Sequence, residues 1–178
     1  QRKFYRVTGG STQNKGVIPD IRLVDIYNEE FGERKAKNAL KWDTIPTAPF
    51  KREGSVQPYL AKLNQTSEQR VATDPQFKYL ETRKTLAKKT ADEKKVVLDI
   101  DQRRAELIDL EKQTLDAENQ RRAATGQPPY ANWESYQASI DALVESRAKM
   151  KAHLRPPLPE EEAFITEAAN VMLDYAAL

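Results

Sequence analysis

From Ser55 onward the sequence is punctuated as a row of helices, and that punctuation excludes most other folds. Ser55 follows Gly54 as an N-cap, and Leu60, Leu63 and Val71 supply a partial stripe behind it. Asp74-Pro75 joins a capping carboxylate to a proline at the first helical position. Phe77, Leu80 and Leu86 predict that this helix runs to about Lys88, with the polar stretch Thr90 to Lys95 as a loop. Val96-Val97-Leu98 is an apolar run placed to dock on a neighbour. Asp99 then caps a long helix through Ile100, Leu107, Ile108 and Leu115 that ends at Gly126, with Pro128-Pro129 beyond it. A further helix spans Trp133 or Ser135 to about His153, using Tyr136, Ile140, Leu143 and Met150, and Pro156-Pro157-Leu158-Pro159 breaks it. Glu160, Glu161 and Glu162 suit the positive end of a last helix dipole, whose apolar face is predicted from Phe164, Ile165, Ala168, Val171, Met172 and Tyr175.

The segment before Ser55 is different. Aromatic and β-branched residues crowd Phe4 to Val7, and Thr8-Gly9-Gly10 gives the backbone access to positive φ. This predicts a strand, a glycine turn and a return strand at Val17-Ile18 that Pro19 keeps short, ending near Val24. Asp25 caps a short helix with Ile26, Tyr27 and Phe31, stopped at Gly32, and a further turn runs from Lys35 to Leu40. Trp42 to Phe50 carries two prolines and several large apolar groups, so it reads as a loop lying on a surface. The fold class is therefore mainly α, with a short β-hairpin remnant ahead of an elongated multi-helix domain.

Composition narrows the function. Charged residues make up 31% of the 178 and hydrophobic ones 39%, and the mean hydropathy of −0.77 favours elongated helices with solvated faces. A net charge of +2 gives no bulk field toward nucleic acid or anionic lipid. The absence of cysteine excludes disulfides, thiol catalysis and zinc–thiolate sites. No apolar run approaches the roughly 20 residues of a membrane span. The start at Gln1, inside a strand-like stretch, predicts a piece of a longer chain.

Each candidate for chemistry meets a plainer reading. Gly10-Ser11 lacks the strand-turn-helix setting of a nucleophile elbow, and Lys15, the nearest candidate base, sits in a polar turn where nothing removes its proton. Gly9-Gly10-Ser11-Thr12 lacks the helix that a phosphate cradle needs. His153 is the one histidine, too few for a transition-metal site, and is expected to meet carbonyls at a helix end. Consecutive carboxylates at Glu160-Glu161-Glu162, and Asp99 with Asp101, point in different directions and read as caps and solvated faces. Lys84, Lys88, Lys89, Lys94, Lys95, Arg103 and Arg104 form a basic zone offset by Asp92, Glu93, Asp99 and Asp101. Without interleaved aromatics it reads as a solvated face, with partner docking as the competitor. No catalytic, cofactor-binding or metal-binding residue is assigned, and no cofactor is expected.

Two stretches carry a resemblance. Lys3-Phe4-Tyr5-Arg6, Gly9-Gly10-Ser11-Thr12-Gln13 and Lys15-Gly16-Val17-Ile18-Pro19-Asp20-Ile21 closely resemble the segment that closes the catalytic domain of C-terminal processing peptidases, in the branch called tail-specific proteases. Asn38, Ala39, Leu40, Trp42, Asp43, Ile45 and Pro46 match a second marker of that branch, and the pattern of residues 160–178 is similar again. The resemblance implies a periplasmic enzyme that uses a serine–lysine dyad and a PDZ-type domain to cut proteins from or near apolar C-termini. Its dyad would lie upstream, so this chain is expected to be inactive alone. Residues 1–24 then end the peptidase domain, 25–54 form a short helix and an aromatic, proline-rich connector, and 55–178 form a helical C-terminal domain that is structural or docks partners or substrates. The expected partners are protein substrates with apolar C-termini through the whole enzyme, a protein adaptor on the helices, and a second copy through residues 1–24. The alternative is a helical adaptor or scaffold module with no link to proteolysis.

Overall fold

The computed structural model describes residues 2–24, 32, 35–51 and 54–178, with only the backbone of Pro159. It is mainly helical. Five helices follow one another: α1 Leu60–Thr73, α2 Pro75–Asp92, α3 Ile100–Ala124, α4 Trp133–Lys149 and α5 Pro159–Ala176. A 3₁₀ turn at Gln57–Tyr59 leads into α1, and another at Ala152–Leu154 separates α4 from α5.

The caps explain the boundaries. The Asp74 carboxylate accepts from the amides of Gln76 and Phe77, which satisfies two of the donors that open α2. Asp99 does the same for α3 through the Gln102 amide. Asn132 and Ser135 exchange bonds in a capping box at the start of α4. Gly126, at φ +73°, ends α3 in the left-handed conformation that glycine adopts without a steric cost.

Phe77, Tyr79, Leu80, Ala117 and Ala163 form the core, with Leu23, Val24, Val71 and Phe164 against it. Helices α2 and α3 run antiparallel, since the Arg121 guanidinium near the end of α3 reaches Gln76 in the first turn of α2. Helix α5 returns to lie on α1 and α2. It is tied by an edge-on contact of Phe164 with Phe77 and by a fork from Arg70 to Glu167 and Asp174.

Several expectations need correction. Helix α2 runs on to Asp92 rather than stopping near Lys88, since Thr90 satisfies its hydroxyl on the Leu86 carbonyl and nothing breaks the helix sooner. Helix α4 stops at Lys149, and His153 sits exposed in the turn beyond it. Leu98 projects into solvent and Val96 is largely exposed, so only Val97 is partly covered. Leu107 and Ile108 do not form a buried stripe of α3 but stand exposed, and its covered residues include Leu110, Leu115 and Ala117. Ile165, Ala168 and Met172 lie on the outer side of α5, not in its buried face. The expected helix at 25–31 lies outside the described residues, and Lys35 to Ala39 forms turns.

The N-terminal segment also pairs differently from the predicted hairpin. Tyr5 bridges Ser11 and Gly10 bridges Thr44, both antiparallel, as isolated bridges rather than strands. Gly9, at φ +84°, reverses the chain early, so the return partner is Gly10 to Thr12 and not Val17-Ile18, which stays exposed.

Candidate functional site

Residues 3–16 and 38–48 close into one small hydrogen-bonded knot. The Ser11 amide donates to the Asp43 carbonyl at 3.0 Å, the Ile45 amide to Gly9 at 2.9 Å and the Ala48 amide to Val7 at 2.9 Å. Side chains lock the same seam. The Trp42 indole N–H donates to the Ser11 carbonyl at 2.9 Å, and the Asn14 amide group to the Leu40 carbonyl at 3.0 Å. Lys3 reaches the Asp43 carboxylate at 2.9 Å, and the Tyr5 hydroxyl donates to it at 3.1 Å. The ammonium of Lys3 holds the Asp43 carboxyl below its usual range, with the Tyr5 bond adding to this.

The same geometry places Ser11 in a turn. Its hydroxyl oxygen accepts from the Gln13 amide at 3.0 Å, a side-chain turn two residues long, and the residue is buried. Lys15 sits on the indole face of Trp42, 3.7 Å from the ring centroid, in a cation–π contact. An activated nucleophile needs a base within hydrogen-bond reach, and the Ser11 hydroxyl meets the backbone amide of Gln13. The amides of Gly9, Ser11 and Thr12 donate to Arg6, Asp43 and Phe4 carbonyls, so they form no open cradle for a phosphate.

The other sequence candidates are dispersed. Glu161 accepts from the Leu158 amide at 2.7 Å and approaches Arg147 at 3.6 Å, while Glu160 turns to Arg83 at 4.0 Å. Asp99 caps α3, and Asp101 pairs with Arg104 on its surface. Of the basic zone, Arg103 pairs with Glu106 at 3.2 Å, and its lysines lie exposed. Among the described residues no three histidine, aspartate or glutamate side chains converge.

The sequence reading missed a groove of about 1120 Å³ between α2, α3, α4 and the segment before α5. Tyr79, Tyr130, Trp133 and Tyr136 supply its aromatic wall, with Leu110 and Leu143 further along. Tyr136 packs edge-on to Tyr130 and tilted against Trp133 at 5.5 and 5.2 Å between centroids. Four of its charged side chains are paired with one another. Arg121 and Glu118 form a buried fork at 2.7 and 2.9 Å, and Arg83 donates to the Tyr79 hydroxyl at 2.9 Å. Burial pushes the Tyr79 phenol well up, so it stays protonated while its oxygen accepts from Arg83. The signal in the sequence is the run Tyr130, Trp133, Tyr136, which spacing places on one side of the start of α4.

Comparison with known proteins adds the family. A family model described as the C-terminal domain of tail specific protease matches residues 26–177. The tail-specific protease of Haemophilus influenzae is 40% identical over 110 residues, which is 59% of this chain and 16% of that protein. The chain therefore spans only a small part of that relative. No described helix is long and apolar enough to cross a membrane. With the two marker stretches joined in one knot and most of the sequence matched, the chain belongs to the family of C-terminal domains of tail-specific proteases.

Proposed function

We propose that this chain is the non-catalytic C-terminal region of a serine endopeptidase that trims or degrades proteins with apolar C-termini. One observation carries the reading: the two stretches that resemble the processing peptidases fold onto each other, and Ser11 is consumed there as turn chemistry. The serine–lysine dyad and a PDZ-type domain belong to the upstream part of the whole enzyme, and residues 1–24 end its peptidase domain. Residues 25–54 are the connector and 55–178 the helical domain, and a family match that starts at residue 26 supports the first of these boundaries. The Haemophilus relative supports a periplasmic setting.

The test is peptidase activity. Residues 1–178 mixed with an unfolded protein of apolar C-terminus are expected to cut no faster than buffer, while the enzyme expressed from the complete coding sequence cuts it. Cleavage by 1–178 that vanishes in Ser11→Ala would overturn the reading.

Docking of a protein adaptor on the helices is a second role, favoured by the aromatic groove. Self-association through residues 1–24 is a third, favoured by exposed Phe4, Val7, Val17 and Ile18. Light scattering of 1–178 against 25–178 tests it, and equal masses for an associating pair would locate the contact in the helices.

A further inference from the structure

Helix α5 carries apolar residues on both sides, with Ala163 and Phe164 toward the core. It turns its two charged residues after the first turn, Glu167 and Asp174, inward to Arg70 at 2.8 and 2.7 Å. The opposite side carries Ile165, Ala168, Ala169, Met172, Leu173 and Ala176, all exposed. Ile165, Met172 and Leu173 stand 59%, 73% and 69% open to solvent. Their spacing of three, four and seven residues draws one straight stripe along the helix. Between Ala163 and Leu178 the outward surface has no charge, in a chain whose residues are 31% charged. A solvated helix face looks like the rest of this protein, with Lys, Arg and Glu; this face looks like the centre of a permanent contact, where charges are depleted.

A membrane surface is disfavoured as the cover, because interfacial helices pair their apolar face with flanking Lys or Arg, and α5 has neither. Most of the polypeptide of the matched relative lies outside the aligned region, which covers 16% of it. We infer that the outer face of α5 is the seat of an apolar, uncharged surface from the upstream part of the same polypeptide, so that this helix fastens the C-terminal domain to the body of the enzyme. The inference rests on the reading of the chain as one region of a longer protease. Ala168, Ala169 and Ala176 let the covering element approach the α5 backbone closely, and Ile165, Met172 and Leu173 fill the space on either side of it.

The chain has no cysteine, so Met172→Cys places one thiol at the centre of the stripe. Its alkylation by a maleimide, read by mass spectrometry of the peptide that contains it, is compared in 1–178 and in the full-length enzyme. Asp101→Cys, at a side chain 87% exposed, is the control for reagent access. The expected result is rapid labelling in 1–178 at any concentration and labelling at least tenfold slower in the full-length enzyme, with the control equally fast in both. Equal rates at Cys-substituted Met172 in the two proteins would overturn the inference. Protection in 1–178 that grows with its concentration would overturn it too and assign the face to a second copy. A full-length sequence with no peptidase segment would instead defeat the functional reading, a result visible before any labelling.

Discussion

Arg70 joins two helices that lie far apart in the sequence. Its guanidinium forks onto Glu167 and reaches Asp174, joining α1 to α5. Glu167 is only 3% exposed, so Arg70→Met leaves a buried carboxylate without its cation. The expected cost is about 2–3 kcal/mol in urea unfolding, below the range for fully buried pairs because Arg70 is partly solvated. A loss under about half a kcal/mol, the scale of an exposed pair, would show that the fork is ornamental to stability. The same site fixes a pH response. Burial alone would raise the Glu167 carboxyl, but hydrogen bonds from Arg70 and Ser67 more than offset it, and the net shift is downward from 4.5. A carboxylate with a lowered folded value adds stability that is complete above about pH 4.5 and disappears as pH falls through that lowered value. Unfolding midpoints at pH 7 and pH 3 should therefore differ more in the native sequence than in Glu167→Gln; equal acid losses would contradict this. Neither Arg70 nor its partners could be matched from sequence, because the pair is separated by 97 residues and no local period connects them.

At the scale of elements, punctuation was legible and facing was not. Asp74, Asp99, Gly126 and the prolines mark starts and stops through groups that act within one turn, so the helix order follows from the residues alone. Which side of α5 or α3 is buried depends on what lies across from it, and an apolar stripe is a guide only where the core is the apolar side. Ile165 and Met172 show the failure, since the core side of α5 is the one with Glu167. Ala168→Pro is expected to break α5 at a cost of about 3 kcal/mol or more, read as lost helical circular dichroism; an unchanged spectrum would mean α5 is not formed in solution. The N-terminal knot has its own control point. An added Cβ at Gly9 would collide with the Ile45 carbonyl oxygen, and φ +84° disfavours any L side chain there. Gly9→Ala in a Trp133→Phe background should shift Trp42 fluorescence toward that of a solvated indole while helical circular dichroism persists. Simultaneous loss of both signals would show that knot and helices unfold as one.

The whole molecule is a set of helices around a small core, with much surface left over. Leu80, at 1% exposed, is the centre of that core, and Leu80→Ala should cost about 3 kcal/mol with no relief from nearby residues. The family resemblance was readable because its markers, Gly9 to Gln13 and Asn38 to Pro46, are turn and loop residues whose backbone demands specify the side chain. The groove was not, because four elements contribute to it. One consequence concerns synthesis on the ribosome. Arg70 is translated long before Glu167 and Asp174, which follow it by 97 and 104 residues. Until α5 leaves the exit tunnel, Arg70 therefore lacks the two carboxylates that join α1 to α5. A polypeptide interrupted before α5 would leave Arg70 without these carboxylates and Phe77 without its ring contact, so closure of the α1 face waits on α5.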